Sequence, residues 1–290
     1  MYRIERYMVP KDEILLLGGD GMLGRTLRKN WPSGSLLYTT RRGKINPLAL
    51  YCDLEKPKFE NELPRTGVFI LAAGITTFQG CEQDPDKAWV VNVEAAGKIA
   101  KHCSRHGVRL IFLSSSSVFD GMSRDPKEAD PPNPKTLYGK MKKEAEDLVK
   151  SSGCAFQILR LTKILDLSSG FIQDCCNRIK SGESIIASPV LPVAPLSGKW
   201  VRSALLKCVK NNNEGIFHLS PTNETSYYTL ALKIGAKKEN TSCNIQKQPD
   251  SSLRKNCSWL PRYAKLGTRE SSVKLDLVMP NWQDVLENIK

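Results

Sequence analysis

Two residues at helical spacing, Tyr138 and Lys142, carry the chemistry that is easiest to recognise in the sequence. Residues four apart lie on one face of a helix, so the lysine ammonium would lie near the phenol. A nearby cation favours the phenolate and lowers a tyrosine pKa from its usual value of about 10. The pair is therefore a candidate acid or base for proton exchange with a carbonyl or alcohol oxygen.

A second chemical signal lies near the N-terminus, where a run of four apolar residues, 14–17, precedes glycines spaced G-x-x-G-x-x-G. A strand, a glycine turn and a helix start together bind phosphate, because the missing side chains let a pyrophosphate approach the N–H groups of the helix. A tight turn without a ligand is the alternative interpretation. We assign the predicted cofactor turn to Gly18, Gly21, Met22, Leu23 and Gly24.

The second predicted strand, residues 35–40, is followed directly by Arg41 and Arg42. In the NAD form of such a fold, an acid about twenty residues past the glycines holds the ribose 2′-hydroxyl. Two guanidinium groups would instead bind a 2′-phosphate through charge-assisted hydrogen bonds, which favours NADP(H) over NAD(H). The alternative interpretation is a basic turn at the end of a strand, without a role in cofactor binding. Further cofactor contacts are predicted at Asp53, Leu54, Ala72, Ala73, Gly74 and Asn92.

These candidate residues are separated by alternating strands and helices. Apolar runs at 68–71, 108–113 and 155–161 indicate strands, and the stretch from Asp84 to His106 indicates one long helix. This alternation predicts an α/β fold with a doubly wound parallel sheet of the Rossmann type, whose ligand lies at the carboxyl ends of the strands. We predict a cofactor-binding domain at residues 12–165. A smaller substrate-binding lobe at 166–290 would be interwoven with it, through a strand near 215–220 that returns to the main sheet.

The composition narrows the class of protein further. No apolar run approaches the ~18 residues of a membrane span, and the first residues have no secretory h-region. The nine cysteines, without C-x-x-C spacing, favour reduced thiols and a cytoplasmic location. We predict no metal site, because His102 and His106 lie at the polar end of a helix. The net charge of +13 is spread thinly, which disfavours nucleic acid and leaves peripheral membrane association open.

Several motifs in this order resemble those of one family. Residues 114–121, Ser-Ser-Ser-Ser-Val-Phe-Asp-Gly, are similar to a Ser-Thr-Asp-Tyr-Val-Phe-Asp-Gly motif. A proline-rich loop from Glu128 leads to Tyr138-Gly139-x-x-Lys142. The family pattern continues as Lys-x-x-Glu, whereas Glu144 follows Lys142 by only two residues. With the glycine turn and the closing Pro280-x-Trp282, nearly the whole chain resembles the extended short-chain dehydrogenase/reductases, and within them the dTDP-4-dehydrorhamnose reductase group.

The resemblance implies a reductase of a keto group on a nucleotide-activated sugar. Ser115 would hydrogen-bond the substrate carbonyl, and Tyr138 would donate the proton. Tyr138 and Lys142 would also contact the cofactor, with Lys142 tuning Tyr138 and holding the nicotinamide ribose, while hydride would come from nicotinamide C4. A homodimer is compatible with this assignment. Substrate contacts are expected at Ser116, Ser117, Phe119 and Lys163.

Departures from the family pattern refine this interpretation. Ser116 and Ser117 stand where sugar-nucleotide dehydratases have an acid pair, so dehydration is disfavoured. Lys163 stands where the rhamnose enzymes have tryptophan, which disfavours rhamnose as the product. A nucleotide-sugar epimerase and a non-catalytic NADP-binding regulatory subunit stay open as alternatives. The intact Ser115, Tyr138 and Lys142 set favours an enzyme.

Overall fold

The fold is taken from a computed structural model, which describes residues 13–32, 36–42, 47–56, 58–65, 67–167, 170–237, 244–249 and 259–287. Residue 12, the predicted start of the first domain, lies outside these ranges, as does residue 35 of the second predicted strand. The first half of the chain forms β1 (Ile14–Leu17), α1 (Met22–Asn30), β2 (Leu36–Thr40), β3 (Ala49–Tyr51), β4 (Val68–Leu71), α2 (Phe78–Gln83), α3 (Pro85–Trp89), α4 (Ala95–His106), β5 (Arg109–Ser115) and α5 (Leu137–Lys150).

Shorter strands predominate in the second half of the chain. The elements are β6 (Phe156–Leu161), β7 (Ile164–Leu165), α6 (Gly170–Ser181), β8 (Ile185–Ala187), β9 (Pro192–Val193), β10 (Leu196–Ser197), α7 (Gly198–Lys210), β11 (Gly215–Leu219), β12 (Thr225–Ser226), α8 (Tyr227–Lys237), β13 (Ile245–Lys247) and α9 (Arg269–Lys274). Single 3₁₀ turns lie at Phe59–Glu62, Ser116–Val118 and Trp282–Leu286.

Seven strands form one sheet in the order β11-β6-β5-β4-β1-β2-β3. The pairs from β3 to β5 are parallel, with Leu15 of β1 in register with Leu37 on one side and Phe69 on the other. The chain runs outward from β1 to β3 and then crosses back to β4. The point between β1 and β4 is therefore the switch point, where open α/β sheets bind ligands at the strands' carboxyl ends.

The chain divides into two compact units. Unit 1 consists of Met1–Ser114, Thr136–Leu159 and Cys208–Ile216. Its core joins strand residues such as Leu15, Phe69 and Leu110 to Ile99 of α4 and Val149 of α5, and all five side chains are fully buried. Unbroken apolar strands such as β1 are typical of parallel sheets covered by helices on both faces.

Unit 2 consists of Ser115–Lys135, Arg160–Lys207 and Phe217–Lys290. Its main core joins Ile172 of α6, Ile185 of β8 and Leu230 of α8 to Trp282 near the C-terminus. The chain passes from one unit to the other after residues 114, 135, 159, 207 and 216. The predicted functional boundary between 165 and 166 stays a prediction.

Buried polar groups organise the interior of unit 2. Nδ1 of His218 lies 3.0 Å from the Gly267 carbonyl oxygen, which only accepts, so Nδ1 carries the proton. The Nε2 atom can then accept from the Arg160 guanidinium at 3.4 Å. A carboxylate oxygen of Glu128 accepts from the hydroxyl of Ser271 at 2.5 Å and from its N–H at 3.2 Å. These bonds tie the 115–135 segment to residues near the C-terminus and explain its place in unit 2.

The long helix predicted from Asp84 to His106 is interrupted. A π-helical turn at Val90–Glu94 separates α3 from α4, and Asp84 caps α3 by accepting from the Lys87 N–H at 3.1 Å. A single π turn inserts one extra residue into a helix and frequently lies at a functional site. Periodicity did not predict this turn, because the apolar stripe continues through it.

Candidate active site

The predicted cofactor turn joins β1 to α1 with its backbone in close contact with its neighbours. Gly18 has a φ of +103°, and a Cβ there would lie 2.6 Å from the Ala73 nitrogen. A Cβ on Gly24 would lie only 2.1 Å from the Gly18 carbonyl oxygen. Glycine is therefore required at both positions for steric reasons. Gly21 is the N-cap of α1 and has no side chain to occupy the first-turn N–H groups, which are oriented to bind an anion.

A cavity of about 370 Å³ opens beside this turn at the carboxyl ends of β2, β3 and β4. Its walls include eight of the predicted cofactor residues: Gly18, Gly21, Arg41, Asp53, Leu54, Ala72, Ala73 and Gly74. The other predicted cofactor residues do not line it: Met22, Leu23, Gly24, Arg42, Asn92, Tyr138 and Lys142. The cavity matches the place and size expected for part of a dinucleotide site.

The two predicted arginines differ in their surroundings. Arg41 lines the cavity, and its guanidinium lies 3.4 Å from the Glu55 carboxylate, which also pairs with Lys87 at 3.0 Å. Arg42 is exposed, and its backbone N–H donates to the Thr40 hydroxyl at 3.0 Å. The side chain of Arg41 is 69% exposed, so it retains freedom to turn toward a ligand.

Asn92 lies in the π-helical turn and is 3% exposed. Its side-chain oxygen accepts from the Ile75 N–H at 2.8 Å, and its amide nitrogen donates to the Ile75 carbonyl at 2.9 Å. Ile75 follows Gly74 in the cavity wall. Asn92 therefore holds the loop after β4 in place, a role that the sequence pattern did not predict.

Tyr138 and Lys142 lie in the first turns of α5. Thr136 caps this helix, its hydroxyl accepting from the Gly139 N–H at 3.0 Å. Tyr138 is 8% exposed and Lys142 4%, and the Lys142 nitrogen lies 6.0 Å from the Tyr138 ring centroid. Lys142 also donates to the Leu113 carbonyl at 2.8 Å. The two side chains share one buried face of the helix, as their spacing predicts.

Burial changes the acidity of Lys142. Loss of water around the ammonium lowers its pKa to about 8, and the nearby Glu146 carboxylate opposes this by favouring the charged form. Glu146 is fully buried and accepts a 2.5 Å hydrogen bond from the Ser114 hydroxyl. Glu146, one helical turn after Lys142, is thus an acid that interacts with it. The signal was available in the sequence, because Glu146 lies four residues after Lys142.

The remaining predicted residues belong to unit 2. Ser115 is the last residue of β5 and is half-buried, and its hydroxyl accepts from the Ser117 N–H at 3.1 Å. Ser116 is half-buried, and Lys163 is exposed. Phe119 is 8% exposed and packs edge-on to the His218 ring at 5.7 Å. The catalytic role of Ser115 and the four substrate contacts stay predictions.

Seven cysteines lie in the ranges covered by the structure, and none of them forms a disulfide. Across the same ranges, no helix is both long enough and apolar enough to cross a membrane.

The strand order with its glycine turn at the switch point, and the Tyr-x-x-x-Lys helix, define a protein of the extended short-chain dehydrogenase/reductase class. The predicted fold class is confirmed. A model of the family described as the RmlD substrate binding domain matches residues 12–289, and the chain belongs to this family. The family resemblance seen in the sequence motifs is confirmed as well.

Individual relatives differ in their described roles. The chain is 31% identical over 162 residues to methionine adenosyltransferase 2 subunit beta of Bos taurus, covering 54% of this chain but 48% of the relative. It thus spans about half the length of that relative. It is 24% identical over 302 residues to dTDP-4-dehydrorhamnose reductase of Aggregatibacter actinomycetemcomitans, covering 96% and 98% of the two chains.

The same fold is present in a crystal structure of dTDP-4-dehydrorhamnose reductase from Bacillus anthracis in complex with NADP. The TM-score is 0.86 at 20% identity, over 96% of this chain and 98% of the other. At this identity the likeness establishes the fold.

Proposed function

We propose that the chain is an NADPH-dependent reductase of a keto group on a nucleotide-activated sugar. The observation that carries this proposal is the buried Tyr138 and Lys142 pair, in a chain that also holds the glycine-turn cavity. The described role of the Aggregatibacter relative supports the substrate class.

The residues of the cavity fit a dinucleotide. Gly18 and Gly24 let the turn backbone pack tightly where a Cβ would collide with neighbouring backbone atoms, and the first N–H groups of α1 would bind the pyrophosphate. Arg41 would pair with a 2′-phosphate, and Asp53 would accept from the adenine amino group. When bound, NADPH supplies the hydride for reduction of the substrate carbonyl.

The proton is supplied by the protein. In this proposal Tyr138 donates it to the carbonyl oxygen as the hydride adds to the carbon, which yields an alcohol. The Lys142 ammonium stabilises the phenolate that remains. Ser115 orients the carbonyl by a hydrogen bond. Since Ser116 and Ser117 carry no ionisable group, the site lacks an acid pair for dehydration at these positions.

A second function is favoured by one observation, the 31% identity to the bovine methionine adenosyltransferase subunit. In that case the chain would bind NADP(H) without turnover and act as a regulatory subunit. The experiment that separates these functions is a screen of purified protein with NADPH and a panel of 4-keto nucleotide sugars. Net NADPH oxidation supports the reductase, sugar interconversion without oxidation an epimerase, and cofactor binding without turnover a regulatory subunit.

We expect turnover to decline as the pH rises above about 8, because Lys142 loses its proton there and the phenolate loses its support. The Glu146→Gln variant removes a charge that raises the Lys142 pKa, so the decline moves to lower pH. The measurement is the pH profile of kcat, with Glu144→Gln as the matched control. Identical profiles for the two variants would remove Glu146 from this role.

A further inference from the structure

The glycine turn carries an acid, Asp20, whose side chain reaches the end of β2. One carboxylate oxygen accepts from the Thr40 hydroxyl at 2.7 Å and from the Arg41 N–H at 3.3 Å. The carboxylate is therefore held at the strand end that the sequence assigned to two arginines. Its position in the sequence, twenty residues before Thr40, gave no sign of this contact.

The second carboxylate oxygen of Asp20 has acceptor capacity for a ligand. It forms an ion pair with the Arg28 guanidinium at 3.8 Å, a separation too long for a hydrogen bond. Arg28 is held elsewhere, since it stacks over the Tyr38 ring at 3.6 Å and donates to the Gly19 carbonyl at 3.1 Å. The Asp20 side chain is 32% exposed, so water or a ligand hydroxyl can reach it.

The cavity that Asp20 lines carries side chains of both charges. Among the described residues that line it, three carboxylates (Asp20, Asp53 and Glu55) face two cations (Arg41 and Lys87). Glu55 pairs with both cations, at 3.4 and 3.0 Å. An incoming phosphate dianion would therefore compete with Glu55 for Arg41 and lie close to the Asp20 carboxylate.

We propose that Asp20 limits the selectivity of this site for NADPH over NADH. This inference rests on the cofactor site of the proposed function. A carboxylate only accepts hydrogen bonds, so it binds the 2′-hydroxyl of NADH and repels the 2′-phosphate of NADPH. Arg41 acts in the opposite direction, and the balance of the two residues sets the preference.

The test is a comparison of dissociation constants for NADPH and NADH, measured by titration of the intact protein at fixed ionic strength. Asp20→Asn keeps an oxygen that can accept from Thr40 and Arg41 but removes the charge. We expect the ratio of the NADH to the NADPH dissociation constant to rise about tenfold, the scale of one partly exposed like charge near a dianion. Asp20→Ser serves as a second variant, because it also removes the charge.

The matched control is Asp174→Asn on α6, which changes the net charge equally at an exposed ion pair with Arg178. The control should leave the ratio unchanged. If the wild type binds either cofactor and neither Asp20 variant alters the ratio, the role of Asp20 is wrong while the cofactor site stands. If the wild type binds neither cofactor, the proposed function itself is overturned, and the inference with it.

Discussion

The Tyr138→Phe variant is expected to lose turnover by about a thousandfold, with the NADPH dissociation constant within about twofold of the wild type. The change removes one hydroxyl and keeps the ring. Tyr138 is 8% exposed, and its ring contacts Phe78 at 6.1 Å between centroids, so packing of α5 is preserved. The effect on rate therefore reports loss of the proton donor rather than loss of structure.

The measurements are steady-state kcat and KM with the active sugar from the screen, and NADPH titration by fluorescence. Tyr228→Phe is the matched control, since it removes a phenolic hydroxyl from a half-buried tyrosine on α8 of unit 2. Only the Tyr138 variant should lose turnover. An unchanged kcat in Tyr138→Phe would remove this residue from the mechanism.

The Gly24→Ala variant is expected to weaken NADPH binding by at least about a hundredfold and to lower the free energy of unfolding by about 3 kcal/mol. The added Cβ would lie 2.1 Å from the Gly18 oxygen and 2.9 Å from two backbone atoms of Gly19. All three contacts are backbone atoms of the glycine turn. The turn and α1 must separate, which displaces the N–H groups that would hold the pyrophosphate.

Thermal or denaturant unfolding and NADPH titration measure the two effects separately. Gly170→Ala at the start of α6 is the control, because an added Cβ there meets no described atom within 4 Å. It should behave as the wild type. Wild-type NADPH affinity in Gly24→Ala would show that the turn does not bind the cofactor.

The features that could be predicted from sequence are local ones. The run of leucines in β1, the glycines after it and the spacing of Tyr138 and Lys142 each occupy a few residues. Backbone geometry relates such neighbours directly, through the period of a strand or a helix. The strand order β3-β2-β1-β4-β5-β6 follows from βα alternation and the right-handed crossover of parallel strands.

The interrupted helix marks the first limit of local reasoning. An extra residue in the π turn at Val90–Glu94 leaves the composition and the apolar stripe unchanged. Its consequence is visible only in space, where Asn92 bonds both backbone groups of Ile75. The division of the chain into two units also could not be predicted from local patterns. The 115–135 segment joins unit 2 through the hydrogen bond between Glu128 and Ser271, which are 143 residues apart.

The sequence by itself determined the α/β class, the glycine turn and the helical Tyr138 and Lys142 pair, because each depends on contacts within a few residues. The tertiary structure decided which charges meet them. Folding places the Ser114 hydroxyl in hydrogen-bond contact with Glu146, the acid near Lys142. It also places the Asp20 carboxylate at the end of β2. Electrostatic interactions depend on distance in space and on exclusion of water, and folding sets both across segments that are far apart in the chain.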